Sequence, residues 1–133
     1  MTKYEDLGIF REGYSLVLII YDLTAKFPDD EKQNIISQIK RASVSIPLNI
    51  ADGSSRFSKR AFLQFLNYSY GSCKELEVLF SLSRDLNYVN VSDYVLISEK
   101  INKISRMIYN FCNVLSKDVK NVNFDNMSLH KFS

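Results

Sequence analysis

Apolar residues recur along this chain in steps of three and four, the spacing that lays a stripe along one face of an α-helix. The cleanest run is Tyr94, Ile97, Ile101, Ile104, Ile108, Phe111 and Leu115, a heptad seam held over three repeats. Glu99, Lys100, Lys103 and Arg106 fall on the other faces. The pattern predicts a helix from about Ser92 to Lys117, with Ser92 or Asn90 as N-cap. An earlier run, Phe62, Leu66, Ser69, Cys73, Leu76, Phe80 and Ser83, keeps the same spacing. It predicts a helix opened by Ser58 and stopped near Asn87. Ser69 and Cys73 on this seam, beside Gly71 and Ser72, leave room for a neighbouring helix to approach closely.

A further seam, Ile35, Ile39, Ala42, Ile46, Asn49 and Gly53, follows Phe27-Pro28. Pro28 suits a helix start, Asp29, Asp30 and Glu31 suit its positive dipole end, and Gly53 suits a position just beyond its close. The first helical segment runs from about Leu7 to Lys26 and carries two seams. One is Phe10, Tyr14, Val17, Tyr21 and Ala25; the other is Leu16, Ile20, Leu23 and Phe27. The run from Leu16 to Tyr21 is apolar around the whole circumference, whereas a helix of a monomeric bundle keeps a polar face. This segment is therefore expected to face another subunit as well as its own core.

Short connections at Phe27 to Asp29, Ser54 to Phe57 and Tyr88 to Val91 place consecutive helices side by side. The predicted fold is all-α, an antiparallel up-down-up-down four-helix bundle over residues 1–117. Residues 118–133 are Asn-rich and lose the heptad, as expected of a frayed end or a polar arm.

At 133 residues the chain fits one domain, and a net charge of +2 does not by itself argue for nucleic acid. Its distribution says more. Residues 1–34 carry four basic and seven acidic side chains, residues 35–90 seven and four, and residues 91–133 six and four. A surface for polyanions belongs to the middle and end of the chain. No signal-peptide pattern opens the sequence and its longest apolar run is too short to span a bilayer, so a cytoplasmic location is expected. Cys73 and Cys112 lie on apolar stripes and read as inert buried thiols. The lone histidine, His130, supplies no metal pair or nucleophile-base pair, and no Gly-rich phosphate loop occurs. No cofactor, metal, small-molecule substrate or enzymatic activity is expected.

The stretch from Lys40 to Arg56, KRASVSIPLNIADGSSR, breaks helix rules. Pro47 removes a backbone donor inside an apolar helical pattern, and Ser43, Ser45 and Asn49 put polar side chains where a core prefers Leu or Ala. Ser45, Asn49, Asp52 and Arg56 are spaced along one helix face. With Glu75, expected to face the middle of the second helix near Arg41 or Ser45, they form a candidate structural polar network. Ser45 and Asn49 would satisfy carbonyls freed by Pro47. An acid–base pocket built on Asp52, Glu75 or Glu77 is the lesser reading, since paired carboxylates are common in ordinary ion networks. A basic constellation, Lys40, Arg41, Arg56, Lys59, Arg60 and Lys74, is interleaved with Phe57 and Phe62. Lys59 and Arg60 occupy a first helical turn, where the dipole disfavours cations. Arg41, Arg56, Lys59 and Arg60 are therefore the candidate nucleic-acid contacts.

These motifs, Arg41 to Gly53 (RASVSIPLNIADG), Ser54 to Ser58 (SSRFS), Phe62 to Leu66 (FLQFL) and Gly71 to Glu77 (GSCKELE), resemble the four helix bundle protein family. Its members were first noticed within intervening sequences of bacterial 23S rRNA genes, and the accessory protein of diversity-generating retroelements is a relative. The resemblance runs from about Tyr14 to Ile108, with Asp52 where Glu is more usual. It implies a homopentameric ring of bundles, no enzymatic activity, and binding of RNA or a ribonucleoprotein. A protein-interaction scaffold without nucleic acid is the alternative.

Overall fold

The computed structural model describes residues 3–119; residues 120–133, which hold most of the expected polar tail and His130, lie outside the described residues. A 3₁₀ turn at Tyr4–Asp6 leads into α1 (Gly8–Thr24). A second 3₁₀ turn at Asp29–Glu31 precedes α2 (Ile35–Ser54), and α3 (Lys59–Asp85) and α4 (Val91–Ser116) follow. The described residues are all-α and form a four-helix bundle. Gly13 meets Ile46 and Pro47 while Tyr21 meets Lys40, so α1 and α2 run in opposite directions. Ser45 meets Ser72, and Gly53 meets Phe62, which sets α3 against α2 in the same way. Phe62 against Phe111 and Ser81 against Tyr94 do so for α3 and α4.

The core sits where the heptads point. Ile39, Ile46, Leu66, Cys73, Leu76, Phe80, Ile101, Ile108 and Cys112 are fully buried. Two helix starts carry the expected caps: Ser58 Oγ accepts from the Ala61 amide at 3.1 Å, and Asn90 Oδ1 from the Asp93 amide at 2.7 Å. Asn87 closes α3 in the left-handed conformation, with φ 64°. The Tyr88 amide donates to Ser83 O at 2.8 Å and the Asn87 amide to Arg84 O at 3.0 Å, the double bond of a Schellman close.

Three elements differ from the sequence expectation. The second helix does not start at Pro28. Only a 3₁₀ turn forms there, because Asp29 to Asn34 offers no apolar face that would reward propagation before Ile35. In α1 the inward seam is Ile9, Gly13, Leu16, Ile20 and Thr24, with Phe27 just beyond, whereas Tyr14 and Tyr21 are 54% and 42% exposed. Of the seam of Phe10, Tyr14, Val17, Tyr21 and Ala25, Phe10 alone is among the half-buried side chains packed against the core. Gly53, expected just past the helix end, lies inside α2 and is buried, without a positive φ. A Cβ there would come within 2.7 Å of Phe65 Cβ and 2.9 Å of Phe62 Cδ1, so glycine serves close contact between α2 and α3.

Candidate functional site

Around Pro47 the polar side chains fasten α2 to itself and to α3. Ser43 Oγ donates to Lys40 O at 2.9 Å, Ser45 Oγ to Ala42 O at 2.7 Å, and Asn49 Nδ2 to Ser45 O at 2.8 Å. From α3, the buried Ser69 hydroxyl donates to Ile46 O at 2.8 Å, and Ser72 Oγ meets Ser45 Oγ. The carbonyls reached are those of Lys40, Ala42, Ser45 and Ile46, whereas the one that proline deprives of its helical donor is Ser43 O. Ser45 and Asn49 therefore brace the helix around the gap and do not fill it as expected. Glu75 does not join this network. It is exposed, and the group of α3 that reaches Ser45 is Ser72, three positions earlier. Asp52 is half-exposed and pairs with Arg56 at 3.2 Å. Sequence reasoning missed Ser69, although its place on the α3 seam marked it as a small residue between helices.

The cations divide into separate groups. Arg56, Lys59 and Arg60 gather where α2 ends and α3 begins, with Phe57 between them wholly exposed. The Arg56 guanidinium lies 4.4 Å from the centre of the Phe65 ring, and Lys59 pairs with Asp118 at 3.0 Å. Both ion pairs of this cluster are exposed. Such pairs contribute well under about 1 kcal/mol, so either cation can exchange its carboxylate for a phosphate. Arg41 is not part of the cluster. It lies eleven residues before Asp52, roughly 16 Å along the helix, and its guanidinium donates to Ser37 Oγ at 3.4 Å. Lys40 instead covers the Tyr21 ring at 4.7 Å, and Lys74 the Tyr70 ring at 5.1 Å.

A third surface is apolar. Tyr14, Leu18 and Tyr21 follow one another by three or four residues on the outer side of α1, and Val44 and Leu48 do the same on α2. All are large and exposed, Leu18 and Leu48 by 57% and 61%. Because Tyr21 meets Lys40 and Gly13 meets Pro47, the two rows lie on neighbouring helices.

Among the described residues no group of three or more His, Cys, Asp or Glu side chains could hold a metal ion, and no helix is long and apolar enough to cross a membrane. Burial pushes the thiols of Cys73 and Cys112 up to about 12.

The sequence pattern of the 23S rRNA-intervening sequence protein family matches residues 5–110. Among solved structures, a protein of unknown function of the S23 ribosomal protein family from Bacteroides thetaiotaomicron superposes with a TM-score of 0.72 at 22% identity. The match covers 78% of this chain and 97% of that one, and at this identity it speaks for the fold. No curated protein matches the chain.

Proposed function

The chain belongs to the 23S rRNA-intervening sequence protein family, and we propose that it is a non-enzymatic, ring-forming helical bundle that binds RNA or a ribonucleoprotein through the basic end where α2 meets α3. The observation that carries this reading is Phe57, wholly exposed beside Arg56, Lys59 and Arg60. A large aromatic side chain in water is unfavourable unless a partner covers it. An aromatic ring among cations is also the pairing that single-stranded nucleic acid uses, with bases on the ring and phosphates on the cations. Arg41 belongs to a different surface and is not part of this contact.

The apolar row of Tyr14, Leu18 and Tyr21 beside Val44 and Leu48 supports self-association, and the family resemblance supports five subunits. The matching exposed row of Val78 and Leu82 on α3 and Leu86 at its C-cap favours the second reading, a scaffold for a partner protein.

Binding of an RNA that carries single-stranded loops, followed by fluorescence anisotropy across a salt series, tests the first reading. Affinity should fall steeply with salt, since each phosphate contact releases a counterion. Replacing Arg56, Lys59 and Arg60 together by Ala should reduce both the affinity and the salt slope. No binding at low salt, or binding indifferent to that triple variant, would refute it. Light scattering of the wild type and of Leu18→Glu tests the ring: the wild type should show a mass near five chains, and the variant a smaller one.

A further inference from the structure

Along α4, Asn102, Ser105, Arg106, Tyr109 and Asn110 stand three or four residues apart and share one stripe. Asn102, Arg106 and Asn110 are exposed, Tyr109 is half-buried and Ser105 is buried, so the stripe runs from solvent down to a hydroxyl at the contact with α3. Opposite them α3 presents Tyr70 and Lys74, one turn apart. Together these residues line a cavity of about 360 Å³ between the two helices, within the size range of small-ligand sites.

Its walls are chemically mixed. The Lys74 ammonium is 5.1 Å from the centre of the Tyr70 ring and 3.4 Å from the Glu77 carboxylate, with its side chain only 23% exposed. Tyr70 is buried, and burial raises its phenol pKa against the opposing pull of Lys74, which keeps the hydroxyl a donor. The Tyr109 ring lies 6.3 Å from that of Tyr70. Beneath them the Ser105 hydroxyl, beside the Cys73 thiol, is buried with no partner in hydrogen-bonding geometry.

Lys74 and Arg106 against Glu77 leave one positive charge in excess, so the cavity selects an anion. A bare anion would not need the rest. Two amides offer donors and acceptors together, suited to the edge of a base or the hydroxyls of a ribose, and a tyrosine face takes a base by stacking. We propose that this cavity binds a nucleotide, its phosphate between Lys74 and Arg106 and its base against Tyr109. The site is distinct from the basic end. Lys74 stands fifteen residues along α3 from Lys59, roughly 22 Å away, and the proposal does not rest on RNA binding at Phe57. Both a free mononucleotide and one unit of an RNA strand carry the required chemistry.

The full chain is titrated with AMP, UMP, inorganic phosphate and a short oligoribonucleotide, followed by calorimetry and by tyrosine emission, which no Trp masks. Mononucleotides should bind with Kd of about 0.1–1 mM and inorganic phosphate about tenfold more weakly or worse. Arg106→Ala should weaken nucleotide binding about tenfold, the size of one charge-assisted hydrogen bond. Lys74→Met should do the same; if it fails to fold, Arg106→Ala decides alone, because Arg106 is exposed and its removal leaves the core intact. The triple Ala variant of Arg56, Lys59 and Arg60 should keep its mononucleotide affinity, so failure of this site and failure of the basic end are separately visible. In that triple variant, whose basic end no longer contributes, tighter binding of the oligoribonucleotide than of mononucleotides assigns the cavity to a strand, and equal or weaker binding assigns it to free nucleotide. Both uphold it. No saturable nucleotide signal up to about 5 mM, well past the expected Kd, or an affinity unchanged in Arg106→Ala, overturns it.

Discussion

Replacing Gly53 by alanine tests whether α2 and α3 meet through a bare backbone position. The new methyl carbon would lie 2.7 Å from Phe65 Cβ and 2.9 Å from Phe62 Cδ1. Apolar carbons rest about 3.5–4.0 Å apart, so the overlap is roughly 1 Å. The Phe62 ring can swing aside. Phe65 Cβ cannot, since it is bonded to the α3 backbone, and relief requires the helices to separate. Overpacking of this kind costs about 1–3 kcal/mol, whereas alanine in place of helical glycine returns about 1 kcal/mol. The expected net result is a loss of about 1 kcal/mol, on the edge of 2 if α3 does not yield. Gly71 is the control: it is exposed on α3, with nothing within 4 Å of where its Cβ would stand. Gly71→Ala should therefore stabilise by about 0.5–1 kcal/mol. Thermal denaturation by circular dichroism reads both, at fixed protein concentration because self-association would shift Tm. Opposite shifts of about 2–5 °C are expected, and shifts in the same direction refute the packing argument. Gly53→Asn separates it from a helix-ending role. A left-handed close would prefer Asn to Ala, but a crowded interface suffers more from the larger side chain, so Asn should be the worse of the two.

Asn87→Gly should stabilise by up to about 1 kcal/mol, because only glycine adopts the left-handed backbone without strain; a loss on urea denaturation would show that the Asn side chain contributes to the close. Ser69→Ala should destabilise by about 1 kcal/mol through loss of the buried bond to Ile46 O, and an unchanged midpoint would mean that the helices close over the gap without it. For Cys73 and Cys112, the folded pKa of about 12 exceeds the ordinary 9.0. The stability they contribute is complete below about pH 9 and is lost as pH rises toward 12, since the unfolded chain gives up its thiol protons first. Ellman's reagent at about pH 8 should detect these thiols only after denaturant is added; fast reaction of the native protein would contradict their burial.

The parts of the fold legible in the sequence were those where one face alone was apolar. The Ile97, Ile101, Ile104 and Ile108 ladder has polar flanks, so its phase was unambiguous, and the buried set follows it. Ser58, Asn87 and Asn90 were readable because capping is a local act of one side chain on nearby backbone. α1 was not readable in phase: with apolar residues on every side, periodicity marks two seams equally, and the true one contains Gly13, a position with no hydrophobicity to count. Gly53 was ambiguous for a related reason, as a missing side chain looks the same whether it allows a turn or a close approach. The expectation that Glu75 faces α2 failed by a rotation about the helix. Ser72 takes that place, and charge drew attention away from the smaller residue. The separation of Arg41 from Arg56 was implicit in the length of α2, whereas the cavity lined by Tyr70, Lys74 and Arg106 depends on which faces of α3 and α4 meet.

Pro47 gives α2 a consequence that extends beyond packing. The helix runs unbroken from Ile35 to Ser54 although proline removes an internal bond near its midpoint. A twenty-residue segment with that gap, four serines and an asparagine has little helical tendency alone. Its continuity is borrowed from Ser69 and Ser72 on one side and from the bare Gly13 on the other. α2 is thus a guest of its neighbours, assembled when they are and not before. A synthetic peptide of its sequence would be largely coil in water, and the Ser69 hydroxyl can reach the Ile46 carbonyl only once α3 has arrived.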